Sequence, residues 1–283
     1  MDQDLGGRTA LVTGGNSGVG LELTKMLLAR GAEVAALVRS EFPDDPETTR
    51  ARTEGQLRVY RADFSDFASL RQGLVAVKAG ESKIDLLFNN AGASFPDLRR
   101  TARGHEAHFE LNTLVPFIVL EELGPLLEAG TLKTVVQTSS IVLRFIPKFS
   151  LEGLENPAKY VPLTGPYGTS KLALSLWTRE AAQAWKARGI TLVSACPGGT
   201  KTKMTASPRA WYMKLLFPLM SHPASEGARR ILQAAFAKVP AGAFLSGPKG
   251  KIVEPKFLGE GPRVLARVRE IYEREFLEAG LRV

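Results

Sequence analysis

Apolar residues follow two alternating rhythms along this chain. Short unbroken runs of β-branched and aliphatic residues at 8–13, 33–38, 84–88, 134–138, 191–195 and 243–246 read as strands buried on both faces. A further run, 57–60, alternates apolar with polar residues, as a strand at the edge of a sheet would. Helical patterns fill most of the gaps. Val19, Leu23, Met26 and Leu27 recur at helical spacing, and the run from Pro166 to Trp177 reads as a helix. Val264, Leu265, Val268, Ile271, Tyr272 and Phe276 form one apolar face on a charged C-terminal segment, 262–279. Strands and helices in this alternation predict an α/β fold, a doubly wound sheet of about seven parallel strands with helices on both faces, in a single domain spanning 1–283. The C-terminal helix must bury its apolar face. Its own domain is the default, with closure over a substrate or contact with another subunit as alternatives, so monomer and homo-oligomer stay open.

Two places on this framework carry chemistry. Gly14-Gly-Asn-Ser-Gly-Val-Gly20 lies between the first strand and the start of the first helix. Glycines there let the backbone turn tightly and approach a pyrophosphate, whose charge is favoured by the helix N-terminus. A Rossmann-like dinucleotide site follows. Tyr167 and Lys171 stand four residues apart at the head of a helix, which puts a phenol and an ammonium on one face. A tyrosine titrates near pH ~10 and is a poor proton carrier at neutrality, but a fixed cation beside it favours the phenolate. The pair is a candidate acid/base device.

Composition narrows the class. With 44% hydrophobic residues the chain can bury a large core. It contains no run approaching the roughly 20 apolar residues of a membrane span, and no apolar leader follows Met1. The one cysteine, Cys196, cannot form an internal disulfide, which fits a reducing compartment, and the expected location is cytoplasmic. The net charge of +8 is scattered in pairs such as Arg99-Arg100, without a basic tail, so no nucleic-acid partner is expected. His105, His108 and His222 form no ligand pattern with Cys or carboxylates, and no metal site is expected.

Further marks fall in a fixed order: Asp63, Asn89-Asn-Ala-Gly92, Asn112, Ser139-Ser140 and Pro197-Gly198 with Thr202. With these, the chain resembles the short-chain dehydrogenase/reductase family over nearly its whole length. Within that family it is most similar to the retinol dehydrogenase and protochlorophyllide reductase group, through Thr13-Gly-Gly-Asn-Ser-Gly, Gly104-His-Glu-Ala-His-Phe-Glu-Leu-Asn112 and Glu226-Gly-Ala228. The resemblance implies roles. Tyr167 exchanges a proton with the substrate oxygen, Lys171 lowers the tyrosine pKa and binds the nicotinamide ribose, Ser140 hydrogen-bonds the substrate oxygen, and Asn112 supports a proton relay. It also implies cofactor contacts at Gly14, Asn16, Ser17, Gly18, Val19 and Gly20, at Asp63 and Phe64 near the adenine, at Asn90, Ala91 and Gly92 on the floor, and at Pro197, Gly198, Gly199 and Thr202.

The cofactor reads as NADP rather than NAD. Where NAD enzymes place a carboxylate after the second strand, this chain has Arg39-Ser40, which offers a cation and donors to a 2′-phosphate. Two features depart from the common pattern. Pro166 precedes the tyrosine, presetting φ where the helix begins, and residues 141–165 form an apolar, proline-punctuated insertion beside the expected substrate mouth. Within 199–222, the aromatic and methionine-bearing stretch 211–220 falls where the family carries a substrate lid; ordinary packing and a patch resting on a membrane surface are the alternatives. The expectation is an oxidoreductase transferring hydride between NADP(H) and a small-molecule carbonyl or alcohol that is bulky and hydrophobic rather than small and polar, with an NADPH-binding sensor of little turnover as the second possibility.

Overall fold

The computed structural model describes residues 3–200 and 222–278. Among these residues eight strands form one sheet: β1 (Thr9–Thr13), β2 (Glu33–Val38), β3 (Leu57–Arg61), β4 (Leu86–Asn89), β5 (Thr134–Thr138), β6 (Thr191–Ala195), β7 (Phe244–Ser246) and β8 (Lys251–Ile252). Their order in space is β3-β2-β1-β4-β5-β6-β7-β8. β1 to β7 run parallel, and the expected seven-stranded parallel sheet is present. β8 adds an antiparallel edge beyond it. That strand is two exposed residues long, too short to leave a period in the sequence.

The described helices in chain order are α1 (Gly18–Leu28), α2 (Pro46–Thr53), α3 (Phe67–Gly80), α4 (Ala107–Phe109), α5 (Val115–Ala129), α6 (Leu151–Glu155), α7 (Pro166–Ala187), α8 (Ala224–Ala235) and α9 (Gly261–Ile271). Side chains alternate across the sheet and so feed two cores. Leu11 of β1 points into a core shared with α3, α5, α7 and α9, whereas its neighbours Ala10 and Val12 point into one shared with α1, α2 and α8. With both faces covered, central strands such as β1 are buried throughout. β3 is the edge that its alternation predicts: Leu57 is buried, Arg58 to Tyr60 are half-buried and Arg61 is exposed.

The C-terminal segment departs slightly from a single helix. α9 stops at Ile271 and continues as a π-helical turn, Tyr272–Leu277. Its apolar face is covered by its own chain: Val264, Val268, Ile271 and Phe276 are buried, and Phe276 meets Phe67 of α3 edge-on at 5.5 Å between ring centroids.

This order of strands fixes where a ligand can sit. The chain winds outward from β1 to β3, then returns to place β4 on the other side of β1. The crevice at the C-terminal ends of β1 and β4 is the switch point at which open α/β sheets bind ligands. The glycine turn after β1, Arg39 after β2, Asp63 after β3, Asn90 after β4, Ser139 and Ser140 after β5 and Pro197 after β6 all lie at that end.

Candidate active site

The glycine turn is shaped by close backbone approach. Gly14 and Gly18 have positive φ, 66° and 52°, in the left-handed region that side chains resist. A Cβ at Gly20 would overlap the carbonyl oxygen of Gly14. Thr24 Oγ1 donates to the carbonyl of Gly15 at 3.1 Å and holds the turn against α1. Across the crevice, Asn90 Nδ2 donates to the Thr13 carbonyl at 3.2 Å, and the Ala91 amide donates to Thr13 Oγ1 at 3.0 Å. β1 and β4 are thus laced together beneath the turn. Ser17 begins α1 with extended backbone and makes no side-chain cap, and the first turn of α1 carries no acidic residue. The N-terminal amides of α1 meet no competing carboxylate from their own turn, which suits an anion.

Arg39 and Ser40 sit exposed at the end of β2. Asn16 Nδ2 reaches the Ser40 carbonyl at 2.8 Å and Ser40 Oγ at 3.0 Å, tying the glycine turn to this corner. Asp63 Oδ1 accepts from the Ser65 amide at 2.9 Å and its hydroxyl at 2.7 Å. Burial alone would raise the Asp63 carboxyl; the Ser65 bonds and the positive charge of Arg39 outweigh it and hold the group below its usual range. Arg39 and Asp63 therefore share one end of the crevice, with Phe64 packed half-buried beside Asp63.

At the other end stand Tyr167 and Lys171. Gly165 precedes α7, where a Cβ would press on the backbone of Val161, and Pro166 occupies the first turn. Tyr167 is half-buried, with its ring edge-on to His108 at 6.5 Å. Lys171 is buried, and its Nζ donates to the Thr138 carbonyl at 2.9 Å. Burial pushes its ammonium down from the ordinary 10.5 to about 8. A Cβ on Gly92 would come within 3.2 Å of that Nζ and 2.9 Å of Asn112 Oδ1, so the floor and these two side chains close on one point.

Asn112 lies in a π-helical turn, Glu110–Leu114, between α4 and α5. Such widened turns often occur at functional sites. Its Oδ1 accepts from the Ala93 amide at 2.8 Å; its Nδ2 donates to the Ala93 carbonyl at 2.9 Å and to Ser170 Oγ at 3.1 Å. Ser170 donates in turn to the Tyr167 carbonyl at 2.7 Å. Asn112 is thus a brace between the floor and the first turn of α7.

The two serines after β5 face different ways. Ser139 is buried and spends its hydroxyl on the Lys171 carbonyl and Ser175 Oγ. Ser140 is half-buried and caps a short 3-10 turn, accepting from the Val142 amide at 3.3 Å. A hydroxyl that accepts there keeps its hydrogen for another acceptor. Cys196 Sγ accepts amide hydrogens from Ile141 at 3.1 Å and Gly198 at 3.2 Å, joining the serine turn to the Pro197-Gly198 loop. Burial holds this thiol above its usual range despite those two bonds. Gly199 is described and accepts from the His222 amide at 2.8 Å, whereas Thr202 and the 211–220 stretch lie outside the described residues.

A tight glycine turn at an uncrowded helix start, a buried lysine and a close floor fit a nicotinamide dinucleotide. Comparison with known proteins decides the family. The sequence profile described as short chain dehydrogenase matches residues 8–213. The chain belongs to this family. Its members are hydride-transferring oxidoreductases, and the likeness extends past the profile. Mouse retinol dehydrogenase 12 is 31% identical over 238 residues, covering 82% of this chain and 74% of the relative. A solved structure of an uncharacterised Mycobacterium paratuberculosis protein superposes with a TM-score of 0.72 at 29% identity, covering 97% of this chain and 96% of that one. Pseudomonas aeruginosa RhlG, solved as an active-site complex with NADP, gives a TM-score of 0.66 at 25% identity over 85% of this chain and 94% of its own.

Among the described residues there is no cluster of three metal-binding side chains and no helix long and apolar enough to cross a membrane. His105 pairs with Glu275 at 2.8 Å, and His108 with Glu106 at 2.7 Å. Sequence reasoning missed Thr13, Thr24, Ser170 and Cys196 as supports of the site. Ser170 alone left a local trace, its spacing of three from Tyr167.

Proposed function

We propose that the chain interconverts a bulky hydrophobic carbonyl and its alcohol at the expense of NADP(H), with Tyr167 as the general acid and base. The observation that carries this is the convergence of Lys171 and Asn112 on Gly92, one helical turn beyond Tyr167. The N-terminal amides of α1 and the glycine turn suit the pyrophosphate, Arg39 and Ser40 the 2′-phosphate, Asp63 and Phe64 the adenine end, and Lys171 the hydroxyls of the nicotinamide ribose. When bound, the dinucleotide supplies or accepts the hydride.

In the reducing direction Tyr167 delivers a proton to the substrate oxygen, and Ser140 holds that oxygen by donating a hydrogen bond. Lys171 stabilises the phenolate left behind. Asn112, through Ala93 and Ser170, keeps the floor and α7 in register. Choice of NADP rests on charge: Arg39 is exposed at the ribose corner, and the nearest carboxylate along the chain, Glu41, pairs with Arg61. The RhlG relative, which binds NADP, supports the same choice.

A panel of ketones, aldehydes and alcohols, followed by nicotinamide absorbance with each cofactor, tests the proposal. Turnover with NADPH ahead of NADH is expected. Tight NADPH binding with no turnover of any carbonyl contradicts it and favours the sensor.

A further inference from the structure

Phe95 follows the floor loop after β4 and is tethered at its amide, its carbonyl and its ring. Its amide donates to His108 Nε2 at 2.9 Å, and its carbonyl accepts from the Tyr160 hydroxyl at 3.0 Å. Its ring meets His108 edge-on at 5.1 Å and carries the Arg99 guanidinium 5.1 Å over its face. Two residues earlier, Ala93 is held at both its amide and its carbonyl by Asn112. A loop segment pinned at alternate residues has little conformational entropy left to lose when something docks on it.

His108 is itself fixed. An amide N–H can only donate, so Nε2 presents its lone pair to Phe95, and Nδ1 carries the hydrogen that faces Glu106 Oε1 at 2.7 Å. The second oxygen of Glu106 accepts from the Phe109 amide at 2.8 Å and caps α4. Neither imidazole nitrogen is left for a substrate. His108 nonetheless touches both aromatic rings edge-on, 5.1 Å from that of Phe95 and 6.5 Å from that of Tyr167. The half-exposed Phe95 is thereby tied, through the one ring of His108, to the acid/base tyrosine. Tyr160, the third tether, belongs to the 141–165 insertion, which gives that insertion a task.

We propose that Phe95 is a specificity-determining wall of the substrate mouth, that it selects flat ring-bearing carbonyls or alcohols over short ones, and that Glu106, His108 and Tyr160 are the positioning residues that hold it. An aromatic ring offers a large rigid apolar face, and a flat substrate gains most from a face that does not move. This rests on the oxidoreductase reading above.

The test compares KM and kcat for a ring-bearing ketone and a short ketone with saturating NADPH, alongside the dissociation constant of NADPH. The full chain carries Phe95→Ala, Tyr160→Phe, His108→Met or His108→Gln. Phe95→Ala should remove most of the preference for the ring. Tyr160→Phe and His108→Met should each raise KM for the ring-bearing ketone by roughly five- to tenfold, the effect of one lost hydrogen bond. The kcat, the short ketone and NADPH binding should hardly move. His108→Gln keeps an oxygen acceptor for the Phe95 amide and should restore most of the loss. Unchanged discrimination in both Phe95→Ala and Tyr160→Phe, whose side chains are half-exposed, overturns the inference even if the buried His108→Met fails to fold. A wild-type chain that binds NADPH yet turns over neither ketone overturns the oxidoreductase reading and this inference together. Turnover with unaltered discrimination overturns this inference alone.

Discussion

Lys171 is held at a cost to stability, and replacing it by methionine should expose that cost. The ammonium is buried, and its pKa falls from 10.5 to about 8 because burial disfavours the charged form. For a lysine lowered in the folded state, the unfolded chain binds more protons between the two values, so folding strengthens as pH rises from about 8 toward 10.5. Below pH 8 the full penalty is present, about 3 kcal/mol for a shift of this size at 1.36 kcal/mol per unit. Methionine fills a similar volume without the charge but leaves the Thr138 carbonyl unpaired, at about 1 kcal/mol. Lys171→Met should therefore be more stable than the parent by about 2 kcal/mol at pH 7, with the gain shrinking by about 2–3 kcal/mol and vanishing near pH 10. Urea unfolding of both chains without cofactor, at pH 7 and pH 10, reads this difference. The same difference at both pH values, or a less stable variant at pH 7, refutes the reasoning. The variant should also lose turnover, since nothing else beside Tyr167 supplies a buried cation on α7.

Arg39→Asp should weaken NADPH binding by about 2–4 kcal/mol through a lost charge-assisted contact and added repulsion, with NADH far less affected; equal losses by fluorescence titration would show that Arg39 does not read the phosphate. Gly20→Ala places a methyl on the Gly14 carbonyl and should abolish measurable NADPH binding even where circular dichroism shows a folded chain. The adjacent serines should separate: Ser139→Ala, which removes the partner of the buried Ser175 hydroxyl and a second bond to the Lys171 carbonyl, should cost about 1–2 kcal/mol of stability. Ser140→Ala should leave stability nearly unchanged and lower kcat by about 10²-fold, the usual loss for one donor to the reacting oxygen. Reversed effects would mean that the two hydroxyls have been assigned the wrong way round.

The order of strands and helices was legible because each central strand is apolar on both faces, and β3 betrayed its edge position by alternating. The glycine turn, Tyr167 and Lys171 stood out as candidates because the turn joins strand to helix and the pair heads a helix, whereas Asn90 to Gly92 and Asn112, the last inside a π-helical turn, were marked by the family resemblance alone. β8 left no period, being two residues with no core face. The supports of the site were hidden for a different reason. Thr13 to Ala91, Asn112 to Ser170, Cys196 to Ile141 and Tyr160 to Phe95 are contacts between residues 55 to 78 positions apart. No local pattern encodes such pairings. The sequence said of His108 only that it joins no metal-ligand pattern, since its bond to the Phe95 backbone spans thirteen residues.

The central claim is that Tyr167 carries the proton while the surrounding cradle holds the cofactor. Single-turnover oxidation of bound NADPH by a hydrophobic ketone, in the wild-type chain and in Tyr167→Phe, tests it most directly. The account predicts rapid absorbance loss in the wild type, NADPH affinity within about twofold in the variant, and a rate at least about 10²-fold lower, because only the proton donor is gone. A Tyr167→Phe chain that oxidises NADPH at the wild-type rate would contradict it.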